Sequence, residues 1–359
     1  MLEFYWITIP FVVALVLSYR IIPVVIDTAR RRNLFDVPNG RKAHEAPTPP
    51  LGGIAIVLGM LVAHWLWAGG LVLGTVRFIW VAILLMFLTG IQDDLTELMP
   101  GRKFLLQGIA SCLVMAGGWR ITTLHGFLGI YDIPIMLQVG LTLFFLLAVT
   151  NAYNLIDGID GLAGGIGFVG ALIFAFIFWY VGDNDFAGFS LALAGGLLGF
   201  LCFNFAPAKI FMGDTGSLSV GFTLAVFGVH FLQSNAGLAG VASLQGYAPN
   251  ILLAILVVPV LDVSQVMVRR MLQGRSPFSP DREHTHHLLL ELGYNHRKAA
   301  LILHGMTLIS IYAQIGCLMA GVPYLLAFSI HVVVALSCLF FLLLKTGRVF
   351  DSSMELDSL

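Results

Sequence analysis

The chain has 359 residues, of which 58% are hydrophobic and only 11% are charged, and its formal net charge is −1. Soluble domains carry about 25% charged residues, so this composition excludes a soluble globule and indicates a membrane protein. The near-zero net charge, with no basic stripe on a soluble segment, also excludes a nucleic-acid-binding module.

Long apolar stretches predict an all-α, polytopic bundle of transmembrane helices in a single domain over residues 1–359. A spanning helix needs roughly 20 mostly apolar residues, and eleven such stretches can be counted, with ten as the alternative count. The first stretch is too long for a removable signal peptide and is predicted to be a retained helix. The predicted spans are 4–25, 51–70, 74–92, 104–119, 133–150, 163–182, 186–204, 216–234, 249–268, 299–320 and 322–344.

The distribution of Lys and Arg predicts the orientation, because basic residues favour the cytoplasmic side of a membrane. If the spans alternate in direction, all 19 basic residues except Arg77 and Arg120 lie on one side. The odd-numbered loops and the C-terminus are therefore predicted to be cytoplasmic. The longest of these loops are residues 26–50 and 269–298, and the polar residues on this side predict a catalytic cleft at the cytoplasmic face.

An adjacent pair of acids, Asp93 and Asp94, ends the third predicted span. Two like charges repel each other where solvent is limited, unless a cation or a difference in protonation compensates. The pair therefore indicates metal association or general-base chemistry. The alternative is a pair of solvated acids that cap the end of the span.

Short polar side chains recur every three residues after the fifth span, at Asn151, Asn154, Asp157 and Asp160. A step of three residues advances about 300° around a regular α-helix, so the stripe would drift around the helix. The glycines that follow both aspartates predict a helix end or a turn, which would gather the oxygens around one point. Such oxygens suit Mg²⁺, whereas helix capping at the membrane surface is the alternative.

The connection between the seventh and eighth spans is rich in small residues and is predicted to cradle a ligand. Gly213 and Gly216 permit unusual backbone geometry, and Asp214 can cap the eighth helix or orient a metal-bound phosphate. Phe211 offers a flat apolar face on which a nucleobase can stack. Capping alone would explain Asp214, and anchoring at the membrane interface would explain Phe211.

Three histidines lie close together in the ninth loop, at His284, His286 and His287, and Arg282 precedes them. Their spacing would allow a zinc site, but no thiols accompany them. Recognition of a phosphate or a sugar is the favoured interpretation. Solvated loop histidines are the remaining alternative.

Together these motifs resemble the polyprenyl-phosphate N-acetylhexosamine-1-phosphate transferases, and especially the bacterial branch that transfers GlcNAc 1-phosphate. The resemblance extends over nearly the whole chain, from Arg41-Lys42-Ala43-His44 to the histidine loop. It implies that undecaprenyl phosphate attacks the sugar-linked phosphorus of UDP-GlcNAc and that UMP leaves. The reaction would need Mg²⁺, for which Mn²⁺ can substitute, and would occur in the bacterial inner membrane. Thr285 departs from the branch, which usually has an aliphatic residue there.

The resemblance also implies roles for individual residues. Asn154 and Asp214 match metal-contacting positions. Asp93 and Asp94 match positions near the lipid phosphate, and Asp94 or Asp157 is the candidate that deprotonates it. The residues implied to hold the uridine are Asp160, Asn204 and Phe211. The residues implied to lie near the phosphates and the sugar are Lys42, His44, Arg282, His284, His286 and His287.

Two other functions are kept as alternatives, the phospho-MurNAc-pentapeptide transferase of peptidoglycan synthesis and a proton-coupled transporter. Transport sites tend to lie at the bilayer midplane, and many transporters contain two related halves. Here the acids lie at one predicted membrane face, and the sequence shows no convincing internal repeat. Because phosphoryl transfer needs positioning and charge neutralisation, a direct single displacement is predicted. A homodimer is compatible with the sequence.

Overall fold

A computed structural model describes residues 2–32, 34, 48–68, 74–234, 242–272, 274, 276 and 285–345. Within those ranges the regular structure is helical, so the predicted all-α fold is confirmed. A short 3₁₀ turn, Phe127–Gly129, lies between α4 and α5. The helices are α1 Leu2–Arg32, α2 Gly52–Trp67, α3 Val76–Thr96, α4 Pro100–Ala116, α5 Ile135–Leu155, α6 Leu162–Tyr180, α7 Asn184–Asn204, α8 Gly213–Gln233, α9 Ala242–Ile255, α10 Val257–Leu272, α11 Thr285–Glu291, α12 His296–Met319 and α13 Tyr324–Lys345.

Each predicted span overlaps a helix or, for the ninth, a bent pair of helices, and the chain is a polytopic membrane protein. In the part of the chain that the structure describes, 7 helices are long and apolar enough to cross a membrane, or 8 if the bent pair α9–α10 forms one span. Helix α2 and the first part of α13 are shorter apolar helices. The count of eleven spans stays a prediction.

The ninth predicted span, 249–268, is broken into two helices that meet at 76°. Pro259 has no backbone N–H and cannot donate a hydrogen bond to the carbonyl of Ile255, where α9 ends. A proline is tolerated in the first turn of a helix, so α10 starts anew just before it. The segment predicted as the ninth span is therefore built from two helices, and it remains a candidate for one span.

Two predicted loops are partly helical. Helix α1 continues to Arg32 rather than ending at Val25, and its last turn contains three arginines that interact favourably with the helix dipole. The predicted loop 26–50 is shortened accordingly. Helix α10 continues to Leu272, and α11 lies within the predicted loop 269–298.

Helix α8 is the central helix of the bundle. All of its most apolar window is buried, whereas only 22% of the corresponding window of α1 is buried. Helices α2, α3, α5 and α6 pack around α8, and α1 packs against α2 and α7 at the outside. The first residues of α8 are thereby surrounded by the ends of several other helices.

Glycines allow the first turn of α8 to approach its neighbours closely. A Cβ atom on Gly53 would lie 2.1 Å from the backbone nitrogen of Gly216, and one on Gly90 would lie 2.4 Å from Cα of Thr215. Gly53 also donates its backbone N–H to the carbonyl of Met212 at 2.9 Å. These contacts place the start of α8 directly against α2 and α3.

We expect Gly53→Ala to destabilise the fold by about 1–3 kcal/mol or more, because the added methyl group meets backbone that cannot rotate away. The thermal unfolding midpoint of the protein in detergent measures the effect. Gly108→Ala on α4 is the matched control, since nothing lies within 4 Å of its added methyl group. A Gly53→Ala protein as stable as this control would contradict the close approach of α2 and α8.

At the opposite end of the bundle, Asp183 pairs with a histidine of α8. Its Oδ2 atom lies 2.6 Å from Nε2 of His230, and its Oδ1 atom accepts a hydrogen bond from the backbone N–H of Phe186 at 3.1 Å. Burial alone would raise the pKa of the Asp183 carboxyl, but its interactions with His230 lower that pKa below its ordinary value. Asp183 therefore caps α7 and joins it to α8.

Candidate active site

Several helix ends converge at the end of the bundle where α8 begins. Helices α3, α5 and α7 end there, at Thr96, Leu155 and Asn204, and α4 and α8 begin there, at Pro100 and Gly213. Because consecutive helices run in opposite directions, the polar residues that separate them in sequence are brought to one place. The result is a cluster of carboxylates and amides at one end of an otherwise apolar bundle.

A lysine lies between two of the predicted acids. The Nζ atom of Lys103 is 2.7 Å from Oδ2 of Asp93 and 2.8 Å from Oδ2 of Asp214. The side chains of Lys103 and Asp93 are 17% and 9% exposed, whereas that of Asp214 is 31% exposed. A protein ammonium group therefore offsets the repulsion between the carboxylates, and Asp214 is the one that a ligand can reach most readily.

The predicted metal-contacting pair lies together. The amide nitrogen of Asn154 donates hydrogen bonds to Oδ1 of Asp214 at 2.5 Å and to Oγ of Ser217 at 2.7 Å. The two side chains come from the end of α5 and the start of α8, 60 residues apart in the chain. These hydrogen bonds join the polar residues at the end of α5 to the start of α8, where the ligand cradle was predicted.

Asp94 caps α8 from a different helix. Its Oδ1 atom accepts the backbone N–H of Asp214 at 2.8 Å. Its Oδ2 atom accepts the backbone N–H of Thr215 at 2.9 Å and the hydroxyl of the same residue at 2.5 Å. A carboxylate at a helix N-terminus satisfies free N–H groups and interacts favourably with the helix dipole. The alternative of a solvated acid is therefore wrong for Asp94, which fixes the start of α8 in place.

Asp157 lies half-buried in the turn between α5 and α6. Burial raises the pKa of its carboxyl well above the ordinary range, and the nearby carboxylates of Asp214, Asp94 and Asp160 raise it further. The backbone N–H of Gly213 donates a hydrogen bond that opposes this rise. Asp157 thus belongs to the same cluster and favours its protonated form more than an ordinary aspartate does.

Asp160 and Asn204 bind the backbone of the surrounding loops, and both are buried. Oδ2 of Asp160 accepts the N–H of Ala208 at 3.0 Å. The side-chain oxygen of Asn204 accepts the N–H of Gly161 at 2.9 Å, and its nitrogen donates to the carbonyl of Ile210 at 2.9 Å. These bonds hold the α5–α6 turn against the α7–α8 connection. Uridine binding by these two residues stays a prediction.

Phe211 lies at the edge of the cluster. Its backbone N–H donates to the carbonyl of Pro49, and its carbonyl accepts the N–H of Gly52, both at 2.9 Å. Its side chain is half-buried, so one part of the ring remains accessible. Nucleobase stacking on Phe211 stays a prediction.

Six of the predicted site residues lie in the first and ninth loops, and the structure describes the side chain of one of them, His287. This side chain is half-buried on α11. The side chain of His286, on the same short helix, is not among the side chains that the structure describes. Lys42, His44, Arg282 and His284 lie outside the described residues.

Comparison with known proteins identifies the family. Residues 76–232, which run from α3 to α8 and contain the whole carboxylate cluster, match the model of glycosyl transferase family 4. A protein of Bacillus subtilis (strain 168), named probable undecaprenyl-phosphate N-acetylglucosaminyl 1-phosphate transferase, is 32% identical over 83% of this chain and 81% of its own length. The chain belongs to glycosyl transferase family 4.

Two further relatives span most of this family 4 chain. The decaprenyl-phosphate N-acetylglucosaminephosphotransferase of Mycobacterium leprae (strain TN) is 34% identical over 81% of the chain and 78% of its own length. The undecaprenyl-phosphate alpha-N-acetylglucosaminyl 1-phosphate transferase of Escherichia coli (strain K12) is 29% identical over 77% of the chain and 74% of its own length. The predicted family is confirmed, and the protein is a membrane glycosyl transferase.

Two residues of the family 4 site were missed from sequence, Lys103 and Gln107. Gln107 follows Lys103 by one helical turn and is fully buried. It accepts a hydrogen bond from the amide of Asn151 at 2.7 Å and donates one back at 3.3 Å, which joins α4 to α5. Two polar residues four positions apart on one face of an apolar helix were the signal that could have revealed them.

The donor set of the family 4 site fits a hard divalent cation. Among the described residues, no group of three or more His, Cys, Asp or Glu side chains is arranged to hold a metal alone. However, Mg²⁺ usually takes one or two carboxylates and completes its coordination with substrate phosphates and water. Asp93 and Asp214 already share one cation, the Lys103 ammonium, and Asn154 adds an amide beside them. These residues therefore suit a cation that is partly coordinated by the substrate.

Proposed function

We propose that this family 4 transferase moves GlcNAc 1-phosphate from UDP-GlcNAc to undecaprenyl phosphate, which yields undecaprenyl-pyrophosphoryl-GlcNAc and UMP. The observation that carries the proposal is the cluster of Asp93, Lys103, Asn154 and Asp214. It lies at one end of a membrane bundle, where a soluble nucleotide and a lipid phosphate can meet. The names of the three relatives support the same sugar and a polyprenyl phosphate acceptor.

In the proposed reaction, an oxygen of the lipid phosphate forms a bond to the sugar-bearing phosphorus of UDP-GlcNAc. The bond from this phosphorus to the bridging oxygen breaks, and its electron pair leaves with UMP. The protein need not form a covalent bond, since phosphoryl transfer relies on positioning and on neutralisation of charge. The Lys103 ammonium supplies a fixed positive charge beside the reacting phosphates.

The acids have different proposed roles. Asp214, Asp93 and the Asn154 amide would hold Mg²⁺ or Mn²⁺, which when bound neutralises charge on the diphosphate. Both oxygens of Asp94 are occupied by the start of α8, so Asp157 is the better candidate for receiving a proton from the lipid phosphate. A phosphate monoester has a second pKa near 6, so the lipid phosphate is already largely ionised at neutral pH. Asp157 would therefore chiefly orient the phosphate dianion.

The remaining predicted residues are proposed to bind the donor. Phe211 would stack on the uracil, with Asp160 and Asn204 shaping the nucleoside pocket. The residues proposed to contact the phosphates and the sugar are Lys42, His44, Arg282, His284, His286 and His287. The site is proposed to face the cytoplasm of a bacterial inner membrane, because the basic end of α1 and the lysine of the cluster lie at this end.

The decisive experiment uses the purified protein in liposomes that contain undecaprenyl phosphate, with labelled UDP-GlcNAc and Mg²⁺. We expect lipid-linked GlcNAc-phosphate and UMP in equal amounts. EDTA should stop the formation of both, and excess Mg²⁺ or Mn²⁺ should restore it. Turnover of UDP-MurNAc-pentapeptide instead of UDP-GlcNAc would place the chain in the peptidoglycan branch. Movement of protons or sugar without nucleotide would support a transporter.

A further inference from the structure

Helix α10 carries two buried polar residues that the proposed reaction does not use. Asp262 and Gln265 are 1% and 4% exposed. They lie three positions apart and therefore on the same face of the helix. An ionisable side chain within an apolar membrane bundle is costly unless it has a partner or a task.

Their shared partner is Thr285, the first residue of α11. The backbone N–H of Thr285 donates to Oδ1 of Asp262 at 2.5 Å, and the amide of Gln265 donates to the Thr285 hydroxyl at 2.9 Å. Thr285 is itself buried, with 7% exposure. Helix α11 has only 7 residues, too few to be stable alone, so its position depends on such contacts.

These contacts connect the histidine-bearing segment to the carboxylate cluster. Helix α11 carries His287 and packs against α12 and α13. Helix α10, which holds the start of α11, packs against α5, and α5 ends with Asn154 at the cluster. Contacts from Thr285 through α10 to α5 therefore connect the start of α11 to the helix that carries Asn154.

We infer that Asp262 and Gln265 are positioning residues that hold the start of α11 and thereby set the affinity for the phosphate-sugar part of the donor. The effect on donor affinity rests on the proposed function. The anchoring of α11 does not, since it follows from the hydrogen bonds alone. Two kinds of measurement therefore separate the two statements.

The first measurement is amide hydrogen exchange over residues 285–291 in detergent. Asp262→Ala should accelerate exchange in α11 by about tenfold, because it removes the acceptor at the helix start, whereas Asp262→Asn keeps an acceptor oxygen and should exchange like the wild type. Asp132→Asn, at an exposed acid near the other end of the bundle, is the matched control. Unchanged exchange in a folded Asp262→Ala protein would overturn the inference. If that variant does not fold, Gln265→Leu and Thr285→Val take its place.

The second measurement is a kinetic comparison of Gln265→Leu, Thr285→Val and the double variant. Each should raise KM for UDP-GlcNAc about fivefold, the effect of one lost hydrogen bond, and the double variant should be no worse than the poorer single one. The kcat and the KM for undecaprenyl phosphate should stay within about twofold of wild type. A loss confined to kcat would overturn the positioning role. If exchange responds while the wild type transfers no sugar phosphate, the anchoring stands and the proposed function fails.

Discussion

Replacing Asp214 by Asn is expected to lower kcat by at least about 10²–10³-fold, the range seen when one charge-stabilising group is removed from an active site. The change keeps the shape of the side chain but removes its negative charge. That charge is held between the Lys103 ammonium at 2.8 Å and the Asn154 amide at 2.5 Å. Initial rates with labelled UDP-GlcNAc and undecaprenyl phosphate measure the effect.

The fold should tolerate Asp214→Asn. It is the backbone N–H of Asp214, not its side chain, that donates to Asp94 and secures α8. Membrane insertion and the thermal midpoint should therefore match the wild type. The control Asp132→Asn makes the same change at an exposed acid and should keep full activity. Substantial activity in Asp214→Asn would refute its place at the reacting phosphates.

Lys103→Met is expected to lower kcat/KM for UDP-GlcNAc by about 10²-fold, because it removes a fixed positive charge beside the phosphates. It also leaves the carboxylates of Asp93 and Asp214 without their shared cation, so the two would repel each other. Rates measured over a series of donor concentrations, at saturating Mg²⁺, give kcat and KM separately.

Arg102→Met is the matched control for this prediction. Arg102 precedes Lys103 on α4 and carries the same charge, but its side chain is exposed. Its replacement should change kcat/KM by no more than about twofold, since isolated surface charges contribute little. If both variants lose activity equally, a general effect of charge at this end of the bundle explains the result, and a specific role for Lys103 is wrong.

The sequence predicted much of this site because its strongest signals are local. The stripe from Asn151 to Asp160 and the segment around Asp214 each lie within a few residues, at helix ends that hydropathy alone can locate. Since successive spans alternate in direction, those ends had to lie on the same side. The structure accordingly brings Asn154 and Asp214 into contact.

Other parts of the site depend on partners that are far apart in the chain. Lys103 contacts Asp214 across 111 residues, and Asp94 contacts Thr215 across 121. In sequence, Lys103 was informative only as a positive charge that favours one side of the membrane. In the sequence, Asp94 was visible only as one member of an acidic pair. In the structure, its carboxylate caps α8.

The ninth span and the loop after it show a third kind of difficulty. Hydropathy averaged over residues 249–268 gives no sign of the break between α9 and α10, although Pro259 is visible in the sequence. Thr285 departed from the expected family pattern, and its hydroxyl accepts a hydrogen bond from the buried Gln265. In the sequence, neither the polar Gln265 within an apolar span nor the polar Thr285 in the following loop indicates a role. Their hydrogen bond in the structure shows that the two residues interact.

The sequence by itself determined that this chain is a helical membrane protein, because burial in lipid requires long apolar stretches that are visible in the composition and hydropathy. It also indicated that the acids at the ends of the third, fifth and seventh spans lie on one side, because successive spans alternate in direction. The tertiary structure decided which acid binds which partner. Asp94 secures a helix, Asp93 and Asp214 share an ammonium ion, and Asp262 holds a distant short helix. These assignments depend on side chains meeting within 3 Å across helices whose packing is set by small residues such as Gly53 and Gly90, and no local pattern encodes those distances.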